Sequence, residues 1–149
     1  MGVFDTVAQE GLPGKVNLGY NLSIPSGIAR VYHLTANDER RNLFPSTSIG
    51  IGPGVPNPNP NFEEVGIPGV HSDVGGGYRN GRAKANSALL LMWRDGIDHK
   101  VPFRQIPPEY SVFDDTTEHD SRYITDKAKD GLRKMLHMKK RLRKIYYQP

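Results

Sequence analysis

Two short β-prone segments, each leading directly to a titratable side chain, limit most strongly what this chain can fold into. Residues 2–7 (GVFDTV) contain Asp5, and residues 64–70 (EVGIPGV) lead into His71. Residues 84–95 (KANSALLLMWRD) then place apolar side chains on one helical face, which predicts a buried helix after His71. Alternating strands and helices predict an α/β fold, in which functional groups gather where strands end.

The segments between these elements carry weaker signals. Residues 28–34 (IARVYHL) fit the period of a strand or of a helix, whereas residues 37–43 (NDERRNL) predict a helix. The prolines of residues 50–60 (GIGPGVPNPNP) exclude a helix interior or a central strand. We therefore expect an exposed loop or an insertion there, within a loop-rich domain.

An acid after one strand and a histidine after a later strand are two thirds of an acyl-transfer triad. In such a triad Asp5 would hold the His71 imidazole in one tautomer, and His71 would take a proton from a serine. Each residue also has a simpler interpretation, because an Asp at a strand end often caps a backbone turn and a loop histidine is often a surface residue. The residue types alone leave both interpretations open.

Longer sequence words surround these two residues. They occur in this order: GVFDTV (2–7), HLTANDERRNLFP (33–45), PGVHSDVGGGY (68–78) and HDSRY (119–123). Together they resemble the α/β-hydrolase family that includes the type VI secretion lipase effectors, over roughly residues 2–125. The resemblance implies a phospholipase, lipase or other esterase with a Ser–Asp–His triad, acting on a lipid or other ester substrate. Asp5 matches the triad acid and His71 the triad histidine.

The resemblance leaves the nucleophile unassigned. In α/β-hydrolases the triad follows the chain order Ser, acid, His, and the serine lies in a G-x-S-x-G turn. Only four residues precede Asp5, and no serine lies in that frame: Ser23, Ser26, Ser46, Ser48, Ser72, Ser87, Ser111 or Ser121. We therefore expect the C-terminal part of an α/β-hydrolase fold, with strands ending at Asp5 and His71. Its partner would be a missing N-terminal hydrolase portion, and the chain alone would be inactive.

The loop after His71 contains three consecutive glycines, residues 75–77. Their spacing matches no phosphate-binding motif, so we expect them to permit close backbone approach and positive φ angles. Asp73 is expected to orient this loop through hydrogen bonds to backbone amides. Residues 38–41 (DERR) most simply form a charge cluster at the end of a helix.

No metal or cofactor is expected. The chain has no cysteine, which excludes a disulfide scaffold, a thiolate zinc site and a cysteine nucleophile. Neither H-E-x-x-H nor EF-hand spacing supports an oxygen-rich metal site built from His71, Asp73 and the residues around His119. The remaining histidines are expected to be structural or exposed: His33, His99 and His137.

Positive charge is concentrated at the end of the chain. Residues 126–149 hold nine Lys or Arg and two Asp, whereas residues 1–125 hold 11 basic and 14 acidic side chains. Apolar residues with helical spacing predict a basic amphipathic helix over 126–149, packed on the domain formed by 1–125. The alternative is a non-catalytic remnant or interaction module that binds a partner or an anionic membrane surface through residues 126–147. One basic helix is weak evidence for nucleic-acid binding.

Nothing in the sequence predicts membrane insertion or export through a signal peptide. No apolar run approaches the ~20 residues of a spanning helix. The N-terminal residues lack a basic region followed by an apolar stretch. We therefore expect a cytoplasmic protein, and the family resemblance implies delivery into a target cell.

Overall fold

The computed structural model describes residues 1–7, 23–41, 44–111, 119–122, 127 and 145–146. In chain order its elements are β1 (Gly2–Phe4), β2 (Val31–Ala36), β3 (Ser46–Thr47), β4 (Phe62–Ile67), α1 (His71–Gly75), α2 (Ala83–Asp98), a short 3-10 helix (Pro108–Ser111) and β5 (Ile145–Tyr146).

The main sheet has three parallel strands in the order β1-β2-β4. The central strand β2 is rich in β-branched and aromatic residues, and five of its six residues are buried. His33 in β2 lies opposite Val3 of β1 and Glu64 of β4. Parallel strands combined with helices confirm the α/β class expected from the sequence.

The hydrophobic core lies between one face of this sheet and the two helices. Tyr32, Leu34 and Ala36 alternate along β2 and point to the same face. Further residues of the core come from β4, α1 and α2, and are Ile67, Val74, Ala88 and the partly buried Val65 and Met92. This packing fixes the end of β4 and the start of α1, and so the position of His71, the first residue of that helix.

Several sequence-based predictions can be compared directly with these elements. Helix α2 confirms the helix predicted at 84–95, although one of its apolar side chains, that of Leu89, is 38% exposed. The ambiguous stretch 28–34 contributes most of a strand. Residues 50–60 form a largely exposed loop in which only Gly52 and Val55 make an isolated bridge.

The helix predicted at 37–43 is wrong for its described residues, 37–41, which are turn and irregular backbone. The Asn37 and Asp38 amides donate to the carbonyls of Ile67 and Gly69, at 3.0 and 2.9 Å. The Glu39 side chain accepts from the backbone amides of Arg40 and Arg41. These bonds replace the helical pattern, a competition that short polar side chains and turns commonly win.

The basic tail lies mostly outside the described residues. Lys127 is helical, but Ile145 and Tyr146 form β5 and pair in parallel with Ser46 and Thr47. The prediction that one helix continues through residues 145–146 is therefore wrong, because a β-branched and an aromatic residue pair with the short strand β3 instead. Within the part of the chain that the structure describes, no helix is long and apolar enough to cross a bilayer.

Candidate active site

Asp5 lies directly after β1 and is fully buried. Its backbone adopts a positive φ of 41°, which Asp tolerates better than most residues. The amide of Asp5 donates to the Leu34 carbonyl at 2.6 Å, and Oδ1 accepts the Ala36 amide at 2.8 Å. Both contacts are to β2, so the central strand determines where this carboxylate points.

His71 is the first residue of α1, and the structure brings it to Asp5 across 66 positions of sequence. Nδ1 lies 2.7 Å from Oδ2 of Asp5. An ionised carboxylate only accepts hydrogen bonds, so Nδ1 carries the proton and Nε2 presents a lone pair. The His71 side chain is 28% exposed, and no described residue forms a hydrogen bond with its Nε2. A buried acid and a partly exposed imidazole are suited to accept a proton from an incoming nucleophile.

His33 fixes the backbone that follows Asp5. It is fully buried on the opposite face of β2 from the core, and its Nε2 accepts the Thr6 amide at 3.2 Å. Its Nδ1 therefore donates to Oε2 of Glu64, at 2.8 Å. Burial raises the pKa of the Glu64 carboxyl, but this bond and those from Ile49 and Ser48 outweigh it and lower that pKa. His33 is thus a structural histidine.

Glu39 and Arg41 form a buried ion pair beside His71. Glu39 is 1% exposed and Arg41 9%, with guanidinium nitrogens 3.0 and 2.8 Å from the two carboxylate oxygens. Burial by itself raises the pKa of Glu39, but the hydrogen bonds and charge of Arg41 hold it at about 2. The charge cluster expected at a helix end is therefore wrong for these two residues, because no helix forms there and the two side chains form a buried ion pair.

Asp73 anchors the start of α1. Its Oδ2 accepts the Val70 amide at 2.9 Å, which agrees with the backbone role expected from the sequence. Gly69 has a φ of 123°, and a Cβ there would lie 2.8 Å from the Asp73 Cβ. Gly76 ends the helix with a φ of 79°, which explains one of the three consecutive glycines.

A second histidine–aspartate pair lies behind this helix. His119 Nδ1 is 2.6 Å from Oδ1 of Asp73, and its ring stacks on Tyr78 with centroids 3.8 Å apart. Two residues later, the Ser121 hydroxyl donates to Oε2 of Glu39 at 3.0 Å. The HDS word therefore packs against the DERR and HSD words.

The sequence identified Asp5 and His71 but assigned no role to Glu39, Arg41 or His119. Their motifs were visible as words of the resemblance, but the contacts of Glu39 with His71 and Ser121, and of His119 with Asp73, join residues far apart in the chain. Among the described residues, no three His, Asp or Glu side chains converge as they would around a metal ion. His99 is 45% exposed at the end of α2, and His137 lies outside the described residues.

Comparisons with known proteins show the family to which the chain is similar. Residues 1–94 match the family described as type VI secretion system (T6SS), phospholipase effector Tle1-like, catalytic domain. The crystal structure of an uncharacterized protein from Pseudomonas aeruginosa is similar, with a TM-score of 0.56 and 30% identity over 74% of this chain. This chain spans only 18% of that protein. No curated protein is significantly similar to the present chain.

Proposed function

The chain belongs to the T6SS Tle1-like phospholipase effector catalytic-domain family, and we propose that it supplies the acid and the histidine of a serine ester hydrolase. The observation that carries the proposal is the 2.7 Å contact between buried Asp5 and partly exposed His71. The fold proposed is the C-terminal part of an α/β-hydrolase, with residues 1–125 in the catalytic domain and the basic residues 126–149 packed on it.

His71 acts in two steps of this mechanism. Its Nε2 takes the proton of a serine hydroxyl as the serine attacks the ester carbonyl, and then gives that proton to the departing alcohol. Asp5 keeps the proton on Nδ1, so that Nε2 is free to accept, and stabilises the imidazolium that forms. Water then attacks the acyl-serine ester with the same two proton transfers through His71, which releases the fatty acid and restores the serine.

The serine comes from polypeptide outside these 149 residues. No serine of the chain lies in a G-x-S-x-G turn, the turn that also provides one oxyanion-hole amide in this fold. The chain alone is therefore inactive, and the catalytic centre forms when the portion that carries the serine joins the sheet.

The family supports a phospholipid or another lipid ester as the substrate. By the same relationship the parent protein is made in the cytoplasm and delivered into a target cell. The alternative function is a non-catalytic module that binds an anionic membrane surface or a partner through residues 126–147. The excess of Lys and Arg in that segment favours it.

The test is reconstitution. The chain is co-expressed with the polypeptide encoded immediately upstream, and fatty-acid release from phospholipid vesicles is measured with labelling by a fluorophosphonate serine probe. We expect no labelling of the chain alone, and in the complex hydrolysis that His71→Ala abolishes. His99→Gln is the matched control, because His99 is an exposed histidine that contacts Asp95 of its own helix.

Labelling of the isolated chain would contradict the requirement for an external serine. Hydrolysis that His71→Ala leaves intact would contradict the catalytic assignment. If the complex binds anionic vesicles but never hydrolyses them, the binding module is the better description.

A further inference from the structure

The Glu39 carboxylate joins three segments of the chain around His71. Oε1 accepts the amides of Arg40 and Arg41, at 2.9 and 2.7 Å. Oε2 accepts the Ser121 hydroxyl at 3.0 Å and the His71 amide at 3.2 Å. One buried side chain therefore holds the backbone at the first residue of α1, where the His71 side chain begins.

The same carboxylate also acts on the imidazole through two intermediate side chains. Arg41, which Glu39 holds with two hydrogen bonds, places its guanidinium carbon 3.4 Å from the centroid of the Phe44 ring. The Phe44 ring lies against the His71 ring, with centroids 5.1 Å apart and planes inclined by 59°. A cation over an aromatic face and a tilted ring pair are both attractive arrangements.

From these two routes we propose that Glu39, with Arg41 and Phe44, is a positioning residue for His71. It fixes the histidine backbone directly, and it fixes the imidazole ring through the contact of Arg41 with Phe44 and of Phe44 with His71. The proposal rests on the proposed function, because it assigns Glu39 to the same catalytic centre. Glu39 touches neither the imidazole nor the reacting atoms, so it is not a catalytic residue.

Orientation is the physical benefit of this arrangement. A buried ion pair adds little stability over an apolar pair of the same volume, because desolvation offsets the attraction between the charges. A histidine held only by Asp5 can still rotate about that single hydrogen bond. The Phe44 ring and the bond from the His71 amide to Glu39 restrict this rotation. They keep Nε2 oriented for proton transfer, whose rate depends steeply on geometry.

The first experiment uses the 149-residue chain alone and needs no catalysis. Long-range proton–nitrogen spectra of ¹⁵N-labelled protein report the tautomer and motion of the His71 ring, with His71→Gln to assign it. We expect one Nδ1-protonated form in the wild type, and mixed tautomers or broadened ring signals in Glu39→Gln and Phe44→Leu. Phe44→Tyr should restore the wild-type spectrum, because it keeps the ring.

Glu63→Gln is the matched control, because Glu63 is a half-exposed carboxylate that pairs with Arg30 on the surface. Phe44→Leu keeps the buried ion pair intact, so it tests the proposal even if Glu39→Gln does not fold. Folded variants whose His71 signals are the same as in the wild type would overturn the proposal.

The second experiment uses the reconstituted complex. Phe44→Leu should lower kcat by roughly ten- to a hundredfold and change KM by less than about twofold, because ground-state binding is untouched. An active complex in which Phe44→Leu leaves kcat unchanged would overturn the positioning role and leave the proposed function intact. Conversely, altered His71 spectra in a chain whose complex never hydrolyses ester would leave positioning intact and remove the proposed function.

Discussion

Two histidine–aspartate pairs lie on either side of helix α1, and their hydrogen bonds are almost the same length. Nδ1 meets the carboxylate at 2.7 Å in Asp5–His71 and at 2.6 Å in Asp73–His119. Both acids are buried, and each uses its second oxygen to hold a backbone amide, that of Ala36 or of Val70. The carboxylate contact therefore does not distinguish them.

The far side of each imidazole does distinguish them. His71 is 28% exposed, whereas His119 is 11% exposed and stacks on Tyr78. The His119 Nε2 is buried, and no described residue forms a hydrogen bond with it. A general base must reach the proton that it abstracts. Access to Nε2 thus favours Asp5–His71 for chemistry and Asp73–His119 for holding the loop.

The largest expected difference between the two pairs is in catalysis. Asn at position 5 tolerates the positive φ and can still accept the Ala36 amide, but its amide group faces Nδ1 and favours the wrong tautomer. In the reconstituted complex Asp5→Asn should lower kcat by about 10⁴-fold. Asp73→Asn removes no contact to His71 and should keep kcat within about tenfold.

Steady-state kinetics on the two purified variants make this comparison, with circular dichroism to show that both are folded. Equal losses of kcat would mean that the two pairs share the proton-transfer role, and that exposure of Nε2 is the wrong criterion.

Acid stability tests the connection between the pairs, because Glu39 contacts both the His71 amide and Ser121. Its pKa is about 2 in the folded chain, against 4.5 for an ordinary Glu. A lowered folded-state pKa contributes stability that is complete above about pH 4.5 and is lost as the pH falls towards 2. The difference corresponds to about 3 kcal/mol of unfolding free energy.

Urea unfolding at pH 6 and at pH 2.5 measures this loss in the wild type. Other carboxylates titrate over the same range, so the informative quantity is the difference from Glu39→Gln. We expect that variant to be less stable at pH 6 and to lose less stability on acidification. Parallel pH profiles would show that Glu39 is not held ionised by Arg41.

The smallest predicted effect is a loss of stability from backbone strain at Gly69, next to Asp73 of the second pair. At Gly69 the φ of 123° is unfavourable for Ala, and an added Cβ would press on the side chain of Asp73. Gly69→Ala should therefore destabilise the chain by about 1–3 kcal/mol. Gly75→Ala is the control, because a Cβ there meets no atom within 4 Å and its φ is not positive.

Thermal unfolding of both variants measures this difference in stability. In the spectra of Gly69→Ala, the His119 ring signals should shift more than those of His71. A Gly69→Ala chain as stable as Gly75→Ala would show that the loop around Asp73 adapts easily, and that the second pair is not rigid.

Local patterns predicted much of this molecule. A β-prone segment located the strand before His71, and helical spacing located α2. The expectation that this strand ends at His71 is wrong, because β4 spans Phe62–Ile67 and residues 68–70 separate it from His71. Prolines located the loop at 50–60. The helix expected at 37–43 failed because one oxygen of Glu39, Oε1, accepts both neighbouring amides, and the charge of Glu39 is compensated by Arg41. The spacing of apolar residues in a sequence does not predict when a side chain competes with the helix for backbone amides.

What the sequence determined by itself is therefore the kind of residue that follows each of these two strands, Asp5 directly after β1 and His71 at the start of α1, and the three glycines that follow His71. These depend on neighbours in the chain, which local periodicity and turn chemistry describe. Only the tertiary structure showed the contact between Asp5 and His71 and paired Asp73 with His119, because both contacts join residues far apart in the chain. The parallel register of β1 and β2 places Asp5 beside His71, and contacts spanning 32 and 82 residues place Glu39 behind it.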